Sequence, residues 1–395
     1  MTQSSIGVAV IGAGMAGRAH CAGYRSAPTL FDPPLPPIRY AAVVDANEGV
    51  AKDAATRYGF ERTSTDWREL LDADDVDVVS VVVANELHRP IVEELLAAGK
   101  HVLCEKPLAP SMADAEAMIA AAQARPDLVT GTGFVYRRQP AVAAVRELVR
   151  SQLGEVSHFN GRYWCDYARS AETPMAWRYK GAPGTGALAD IGSHLIDLAE
   201  FVCGPMVSVS GAAFTTKVTE RAVPLGTTYG HAKAQLSDVR EPVENDDVAT
   251  FTAHFQSGAV GTFSISRIAP GHANSLAFDL MAENGAAKWD MDRPAEFSVI
   301  FNDGPEGRAA YNGYNQVLLG PAHPYIKGGL PMDFPGCSFG VGDLFGYQAR
   351  AFLEQVAGID GLPPVATFED GLRDLTVIDA VARSAAAGGA AVDLA

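Results

Sequence analysis

The sequence predicts an α/β Rossmann domain at the N-terminus, followed by an α+β domain with a large, mostly antiparallel open sheet. Three observations lead to this prediction. An apolar strand runs directly into the glycine-rich stretch GAGMAG at residues 12–17. Strands and helices then alternate over about 130 residues, as in doubly wound folds. In the second half, several strands alternate in hydrophobicity and are separated by short turns, as in antiparallel sheets.

The glycine-rich stretch lies between a predicted strand at residues 6–11 and a predicted helix that continues to residue 26. Gly12 permits a tight turn, Gly14 allows the backbone to approach a pyrophosphate, and Gly17 lets the helix pack closely against the strand. The free N–H groups at the start of the helix attract phosphate. We therefore predict a dinucleotide site with contacts from Gly12, Gly14, Met15 and Ala16.

Asp45 ends the second predicted strand, which follows a proline-rich surface insertion at residues 27–38. A carboxylate at this place is expected to accept hydrogen bonds from an adenosine ribose. A 2′-phosphate at ~4 Å would be repelled by roughly 4 kcal/mol at an effective dielectric constant near 20, so NAD is favoured over NADP. The alternative is that Asp45 only caps the helix that starts near residue 48.

The β–α alternation continues to residue 134. Its predicted elements are helices at 48–58, 66–71, 90–98 and 111–124, and strands at 76–83, 101–104 and 128–134. Ligands of open α/β sheets bind outside the carboxyl ends of the strands. We therefore expect residues that follow two of these strands to lie at the cofactor, namely Ala84, Asn85, His88, Glu105 and Lys106. For His88 the alternative is a cap on the following helix.

The second half has a different pattern. A helix at 139–151 joins the halves; strands are predicted at 155–167, 206–218, 248–255, 259–268, 275–282 and 297–301, and a helix at 187–202. The glycine- and proline-rich residues 304–337 are predicted to be irregular, and helices at 347–356 and 369–386 end the chain. We predict an NAD-binding domain at 1–135 and a substrate-binding and oligomerisation domain at 136–395. Whether the C-terminal helices pack back on the first domain is left open.

Composition narrows the class of partner. The 395 residues carry a formal net charge of −16, which argues against nucleic acid or an anionic membrane as the main partner. The five cysteines form no C-x-x-C pair, so we expect neither a zinc site nor another metal. Without a signal peptide or an apolar run of ~18 residues, the chain is expected to be a reduced, cytoplasmic protein.

Three motifs in this order resemble the Gfo/Idh/MocA oxidoreductase family: GAGMAG at 12–17, EKPL at 105–108 and GALADIGSHLID at 186–197. The resemblance covers essentially the whole chain. Within the family, the likeness is to the levoglucosan dehydrogenases and related sugar 3-dehydrogenases, through the insertion before the second strand, YRRQPAV at 136–142, WRY at 177–179 and GPAHPY at 320–325. It implies a Rossmann domain followed by an open sheet that often mediates oligomerisation, so we expect a dimer or tetramer.

The resemblance implies reversible oxidation of a sugar or polyol secondary alcohol by NAD(P). Lys106, at a strand end beside the predicted nicotinamide position, can stabilise a developing alkoxide as an ammonium group. Asp190 and His194 are four residues apart and project from one face of a helix. With an ordinary pKa near ~6.5, His194 suits the role of general base, and Asp190 either orients its imidazole or binds a neighbouring hydroxyl. The alternative for each is a structural or solvated side chain.

The resemblance also places Trp177 and Arg178 at the nicotinamide end of the cofactor; the alternative is a packed aromatic residue beside a surface arginine. Sugars are bound by planar hydrogen-bonding groups and aromatic faces. The candidates for sugar contacts besides Lys106, Asp190 and His194 are Tyr136, Asp166, His323 and Tyr325. Aromatic residues in loops also commonly serve only packing.

The sequence therefore predicts an NAD-dependent dehydrogenase that oxidises a secondary hydroxyl of a cyclic sugar, anhydrosugar, glycoside or inositol, at C3 for a pyranose. One alternative is a keto-sugar reductase of a biosynthetic pathway, because a catalyst does not set the direction of a reaction. The other is a non-catalytic sensor that binds a dinucleotide and a sugar. Retention of Lys106, Asp190 and His194 speaks against the sensor.

Overall fold

The computed structural model describes residues 5–226, 234–302, 313–330, 332, 334–335 and 340–394. Its contacts divide the chain into two compact units: Met1–Arg138 with Gly320–Leu375, and Gln139–Leu319 with Thr376–Ala395. Our sequence-based division falls after residue 135 and leaves open whether the C-terminal helices pack back on the first domain. Contacts of residues 320–375 with the first unit account for the difference.

The elements have the following bounds. The helices are Met15–Ser26 (α1), Glu48–Tyr58 (α2), His88–Ala97 (α3), Met112–Gln123 (α4), Pro140–Leu148 (α5), Ser193–Cys203 (α6), Val341–Ala357 (α7) and Phe368–Ala386 (α8). The strands are Ile6–Ile11 (β1), Ile38–Val44 (β2), Arg62–Ser64 (β3), Val78–Val81 (β4), His101–Cys104 (β5), Thr130–Thr132 (β6), Val156–Cys165 (β7), Met206–Thr215 (β8), Glu220–Pro224 (β9), Leu236–Pro242 (β10), Val248–Phe255 (β11), Val260–Ser266 (β12), Asn274–Ala282 (β13), Gly285–Asp290 (β14), Glu296–Phe301 (β15), Asn315–Leu318 (β16) and Val392–Asp393 (β17).

The first unit is built on a parallel sheet with the strand order β3-β2-β1-β4-β5-β6. Every side chain of β1 is buried, which explains its uninterrupted apolar sequence. The order reverses between β1 and β4, the point at which doubly wound sheets bind ligands. The predicted Rossmann architecture is confirmed.

Helix α7 packs against α1, which explains why residues from the C-terminal part belong to the first unit. The two helices approach so closely at Gly23 that a Cβ atom there would lie 2.6 Å from the carbonyl oxygen of Phe345. Tyr24 of α1 and Phe352 of α7 are buried in the same apolar cluster. The close contact requires glycine at position 23.

The proline-rich insertion is anchored by hydrogen bonds within the first unit. The backbone N–H of Phe31 donates to the carbonyl of Gly328 at 2.8 Å. The buried Arg350 donates to the carbonyls of Leu30 and Pro33. These bonds connect the insertion to residues 320–330 and to α7, so the insertion follows a defined path.

The second unit is built on a sheet with the order β16-β15-β14-β13-β7-β12-β11-β8-β17. Only the β7–β12 pair is parallel among the neighbours in this sheet, which confirms the predicted mostly antiparallel α+β architecture. Helix α6 packs on β7, where a Cβ atom at Gly161 would lie 2.7 Å from the side chain of Leu195. The strands β9 and β10 pair with each other, antiparallel, apart from the main sheet.

Our prediction missed β3, β9, β10, β14, β16 and β17. The segment predicted to be irregular, 304–337, contains the strand β16, which pairs with the sheet edge β15. Residues 303–312, 331, 333 and 336–339, with Cys337 among them, lie outside the described residues. Among the helices that the structure describes, none is both long enough and apolar enough to cross a membrane.

Candidate active site

The glycine-rich loop has the geometry that its sequence predicts. Gly12 has a φ of +93°, and a Cβ atom there would lie 2.0 Å from the carbonyl oxygen of Val82. A Cβ atom at Gly17 would lie 1.8 Å from the carbonyl oxygen of Gly12. At Gly14, by contrast, a Cβ atom would meet no protein atom within 4 Å. Gly12 and Gly17 are thus required by packing, whereas Gly14 faces open space.

Asp45 is fixed beside this loop by two backbone N–H groups. Its Oδ2 accepts a hydrogen bond from Ala13 N at 2.8 Å, and its Oδ1 accepts one from Asn47 N at 2.9 Å. The side chain that caps α2 belongs to Asn47, which accepts from Val50 N at 3.1 Å. Asp45 therefore does not cap this helix through its side chain, and the capping alternative is wrong.

The loop after β4 places Ala84 and Asn85 in half-buried positions at the carboxyl edge of the sheet. His88, in contrast, is fully buried. Its Nδ1 lies 3.1 Å from the carbonyl oxygen of Leu108, and its Nε2 lies 3.2 Å from that of Val83. The structure does not support our prediction that His88 contacts a cofactor, because both ring nitrogens face backbone carbonyls.

Glu105 and Lys106 follow β5 at the same edge of the sheet. Glu105 is only 9% exposed, and its Oε1 lies 2.9 Å from Nε2 of the buried His20. Burial raises the pKa of Glu105, but the hydrogen bond from His20 and the charges of His20 and Lys106 outweigh burial and lower the pKa overall. Lys106 is half-buried. We did not predict a role for His20, although it lies on α1 shortly after the glycine-rich loop.

The three remaining candidates of the first unit differ in their exposure. Tyr136 is 5% exposed, and His323 is half-buried. Tyr325 is 3% exposed; its hydroxyl accepts a hydrogen bond from Arg138 at 3.2 Å, and its ring packs edge-on against Tyr347 at 5.1 Å. These contacts give Tyr325 a packing role in the unit, and its contact with a sugar stays a prediction.

The helix predicted at 187–202 begins differently from our expectation. A π-turn, Leu188–Gly192, carries Asp190, and α6 follows with His194 in its first turn. The carboxylate of Asp246 accepts from the backbone N–H groups of Gly184 (2.8 Å), Gly186 (3.1 Å) and Leu188 (2.9 Å). This buried cap, absent from our prediction, satisfies the free donors at the start of the helical segment.

Asp190 is held by two neighbours in the second unit. Its Oδ2 accepts a hydrogen bond from the Tyr167 hydroxyl at 2.6 Å and lies 3.9 Å from Nε of Arg178. Burial, and then the charge of Asp190, raise the pKa of Tyr167 well above its ordinary value, so Tyr167 remains a hydrogen-bond donor. His194 is 9% exposed, and its ring centroid lies 6.2 Å from that of Tyr163.

The turn Trp177–Tyr179 presents the indole of Trp177 to solvent, with 53% of the residue exposed. The guanidinium of Arg178 lies 5.1 Å from the centre of this ring. The carbonyl of Arg178 accepts hydrogen bonds from the buried side chains of Arg267 and Asn245, each at 3.1 Å. The two bonds fix the backbone of this turn. Asp166 is half-buried, directly after β7.

The described part of the chain holds no group of three or more histidine, cysteine or carboxylate side chains arranged for a metal. Four of its cysteines, Cys21, Cys104, Cys165 and Cys203, are free thiols.

Two family models match the chain. Residues 6–132 match the model described as "Oxidoreductase family, NAD-binding Rossmann fold", and residues 142–288 match the Gfo/Idh/MocA C-terminal domain. The chain belongs to the Gfo/Idh/MocA oxidoreductase family. The predicted family and the predicted enzyme class, an NAD(P)-dependent oxidoreductase, are thereby confirmed.

Relatives within this family match over the whole length. Levoglucosan dehydrogenase of Pseudarthrobacter phenanthrenivorans is 34% identical over 393 residues, which cover 97% of each chain. A solved structure of levoglucosan dehydrogenase in its apo form superimposes with a TM-score of 0.89 at 31% identity and covers 100% of this chain and 99% of the other. Its complex with NADH and levoglucosan has a TM-score of 0.87, with 31% identity and 99% coverage of both chains. The predicted resemblance to levoglucosan dehydrogenases is confirmed.

The first unit of this Gfo/Idh/MocA protein fits the NAD of its family. The space above Gly14 admits a pyrophosphate close to the backbone, and α1 begins at Met15 without a side-chain cap on its N–H groups. Asp45 is fixed at the end of β2, where the ribose hydroxyls are expected. The backbone of Gly12, Gly14, Met15 and Ala16 and the Asp45 carboxylate therefore form a suitable cofactor cradle.

Proposed function

We propose that this protein is an NAD-dependent dehydrogenase that oxidises a secondary hydroxyl of a cyclic sugar, anhydrosugar, glycoside or inositol to the ketone, at C3 for a pyranose. The full-length likeness to levoglucosan dehydrogenase carries the proposal, because it extends over both units at 34% identity. The placement of Lys106 at a strand end and of Asp190 and His194 around one helical turn supports it.

In the proposed mechanism, NAD held by the cofactor cradle would supply the acceptor for the hydride of the carbon that is oxidised. His194 takes the proton of the hydroxyl as the general base. The Lys106 ammonium donates a hydrogen bond to the same oxygen and stabilises the alkoxide that develops there. Asp190, fixed by Tyr167 at 2.6 Å, orients the His194 imidazole or binds a neighbouring hydroxyl.

We assign the remaining contacts from the family resemblance and from the place of each residue after a strand or in a turn of its own unit. Asp45 binds the adenosine ribose, and Ala84, Asn85 and Glu105 line the edge of the sheet at the cofactor. Trp177 and Arg178 contact the nicotinamide end, where the exposed indole supplies an aromatic face. Additional contacts with the sugar come from Tyr136, Asp166 and His323.

The test is a substrate panel. Purified protein with NAD is offered levoglucosan, free pyranoses, glycosides and inositols, NADH formation is followed by absorbance, and NMR of each product identifies the oxidised carbon. We expect turnover of at least one cyclic substrate and a 3-keto product from a pyranose. If no member of the panel reduces NAD, the dehydrogenase proposal is wrong; a keto group at another carbon would overturn only the C3 assignment.

Reduction of a keto-sugar is a second candidate, favoured by a different group of relatives. The dTDP-3,4-didehydro-2,6-dideoxy-alpha-D-glucose 3-reductase of Streptomyces antibioticus is 26% identical over 296 residues, which cover 73% of this chain and 86% of that protein. Comparison of kcat/KM for oxidation of free sugars with NAD and for reduction of nucleotide-linked keto-sugars with NADH separates the two functions. A higher value for the nucleotide-linked substrate would favour the reductase.

A further inference from the structure

Two buried histidines from different elements contact the loop that carries Lys106. His20 lies on α1 and is 3% exposed, and His88 opens α3 and is fully buried. Their partners in the loop are Glu105, directly before Lys106, and Leu108, two residues after it. The loop is therefore held on both sides of the lysine.

His20 reaches the loop through its Nε2 atom. This nitrogen lies 2.9 Å from Oε1 of Glu105, while Oε2 of the same carboxylate accepts from the backbone N–H of Lys106 at 3.2 Å. The other ring nitrogen, Nδ1, lies 3.1 Å from the hydroxyl of Ser80, which also bonds Tyr24 at 2.8 Å. A chain of hydrogen bonds, buried as far as Glu105, thus connects α1 and β4 to the backbone of Lys106.

His88 reaches the loop through its other nitrogen. Its Nδ1 lies 3.1 Å from the carbonyl of Leu108, and its Nε2 lies 3.2 Å from the carbonyl of Val83 in the neighbouring loop after β4. Burial lowers the pKa of His88, so the imidazole is neutral and has one N–H to donate. As the Nδ1–H tautomer it donates to Leu108, and its Nε2 edge faces the loop after β4. Burial at this depth leaves no surface for contact with a substrate.

We propose that His20 and His88 are positioning residues that together fix Lys106 for the reaction. The inference rests on the proposed function, which gives Lys106 its role at the substrate oxygen. A displacement of about 1 Å in a catalytic group can lower a rate roughly a hundredfold. Contacts that fix the loop on both sides of Lys106 are therefore expected to raise kcat. Neither histidine transfers a proton to the substrate; both act through the backbone of the loop.

The different nitrogens that face the loop permit a reciprocal test. Glutamine places its amide near the position of histidine Nε2, and asparagine places its amide near the position of Nδ1. His20→Gln and His88→Asn therefore keep a hydrogen bond to the loop, whereas His20→Asn and His88→Gln lose it. Within each pair, the two variants remove the same imidazole ring.

His101→Gln serves as the matched control. His101 is a half-buried residue at the start of β5, at the opposite end of the strand that leads to Lys106, and its Nδ1 accepts from Val129 N at 2.8 Å. Glutamine leaves that donor without the imidazole acceptor. The control therefore perturbs the same strand without touching the loop.

For each variant we would measure kcat and KM for the best sugar of the panel, the NADH dissociation constant by fluorescence, and the melting temperature. Hydrogen–deuterium exchange of the peptide that contains residues 105–108 would be measured in the cofactor-free protein. We expect kcat to be roughly tenfold to a hundredfold lower in His20→Asn and His88→Gln than in their partner variants, with KM changed less. The 105–108 peptide should exchange faster in the same two variants and at the wild-type rate in His101→Gln.

Equal kcat and equal exchange within each pair would overturn the proposal, as would a kcat that follows melting temperature across all variants, the His101 control included. If a His20 variant does not fold, Ser80→Ala replaces it: this change removes the partner of His20 Nδ1, and an unchanged 105–108 exchange rate would contradict the His20 assignment. Failure of the proposed function has another signature. An inactive wild type refutes that function, and a fully active Lys106→Ala variant refutes the role of Lys106, while the exchange data still decide the loop contacts.

Discussion

The fixed carboxylate of Asp45 makes a quantitative prediction about the choice between NAD and NADP. Asp45→Asn removes one negative charge but keeps the size of the side chain. The asparagine carbonyl oxygen can still accept from one of the two backbone N–H groups, of Ala13 or Asn47, that hold Asp45. The fold of the loop should therefore persist while the charge disappears.

The two backbone bonds prevent the Asp45 carboxylate from turning away from a 2′-phosphate, so the repulsion has to be estimated at short range. At ~4 Å, one pair of unit charges repels by about 4 kcal/mol at a dielectric constant near 20 and by about 1 kcal/mol in water. Asp45 is half-buried, so the value lies between these limits. Since about 1.4 kcal/mol corresponds to tenfold in affinity, Asp45→Asn should raise the NADPH/NADH affinity ratio roughly fivefold to several hundredfold.

Fluorescence titration of wild type and variant with NADH and NADPH measures this ratio. Asp127→Asn is the control, because Asp127 precedes β6 and therefore lies at the opposite edge of the parallel sheet from Asp45. Its affinity ratio should equal that of the wild type. An Asp45→Asn ratio within a factor of about two of the wild type, with intact folding, would refute the charge argument.

Three further predictions concern the stability of the two units. Gly14→Ala should have the melting temperature of the wild type but bind NADH more weakly. Gly17→Ala should have a lower melting temperature, because its Cβ would lie 1.8 Å from a backbone oxygen. A lower melting temperature for Gly14→Ala than for Gly17→Ala would contradict the loop geometry. Asp247→Asn, which breaks a fully buried ion pair, should cost about 3–5 kcal/mol in urea unfolding, against less than about 1 kcal/mol for Asp290→Asn in a partly exposed pair. The pKa of Glu105 lies below its ordinary value of 4.5, so its carboxylate stabilises the fold at neutral pH, and this stabilisation is lost as the pH falls through the folded-state pKa. The melting temperature of Glu105→Gln should therefore fall less in acid than that of the wild type. An equal fall in both proteins would refute this prediction.

The Rossmann half of the fold could be predicted closely from the sequence. The bounds of β1, α2 and β5 agree with the structure, because each is an uninterrupted pattern with clear start and stop residues. Strands such as β14 (GAAKWD) and β16 (NQVL) escaped prediction because their sequences lack a clear strand pattern and their conformation comes from pairing with neighbours. Residues 320–375 belong to the first unit, in which α7 packs on α1; the sequence allowed this packing but did not decide it, because no local pattern shows which domain a helix packs on.

The candidate site was predictable where chemistry and local sequence coincide, and less so where distant residues meet. Lys106 and Asp45 follow strands and were found by position. His20 and Glu105 are 85 residues apart, and only the fold brings them together. The burial of individual side chains could not be predicted either. Histidine commonly contacts ligands, but the ring of His88 lies among backbone carbonyls inside the unit.

The role of Lys106 is the central claim, and one comparison tests it most directly. Initial rates of sugar oxidation at saturating NAD would be measured for wild type and Lys106→Ala, with NADH binding determined on the same samples. We predict a kcat that falls by about a hundredfold to a thousandfold while the NADH dissociation constant changes little, because the loss concerns an oxygen that becomes charged during the reaction. A variant with a kcat within about threefold of the wild type would contradict the account.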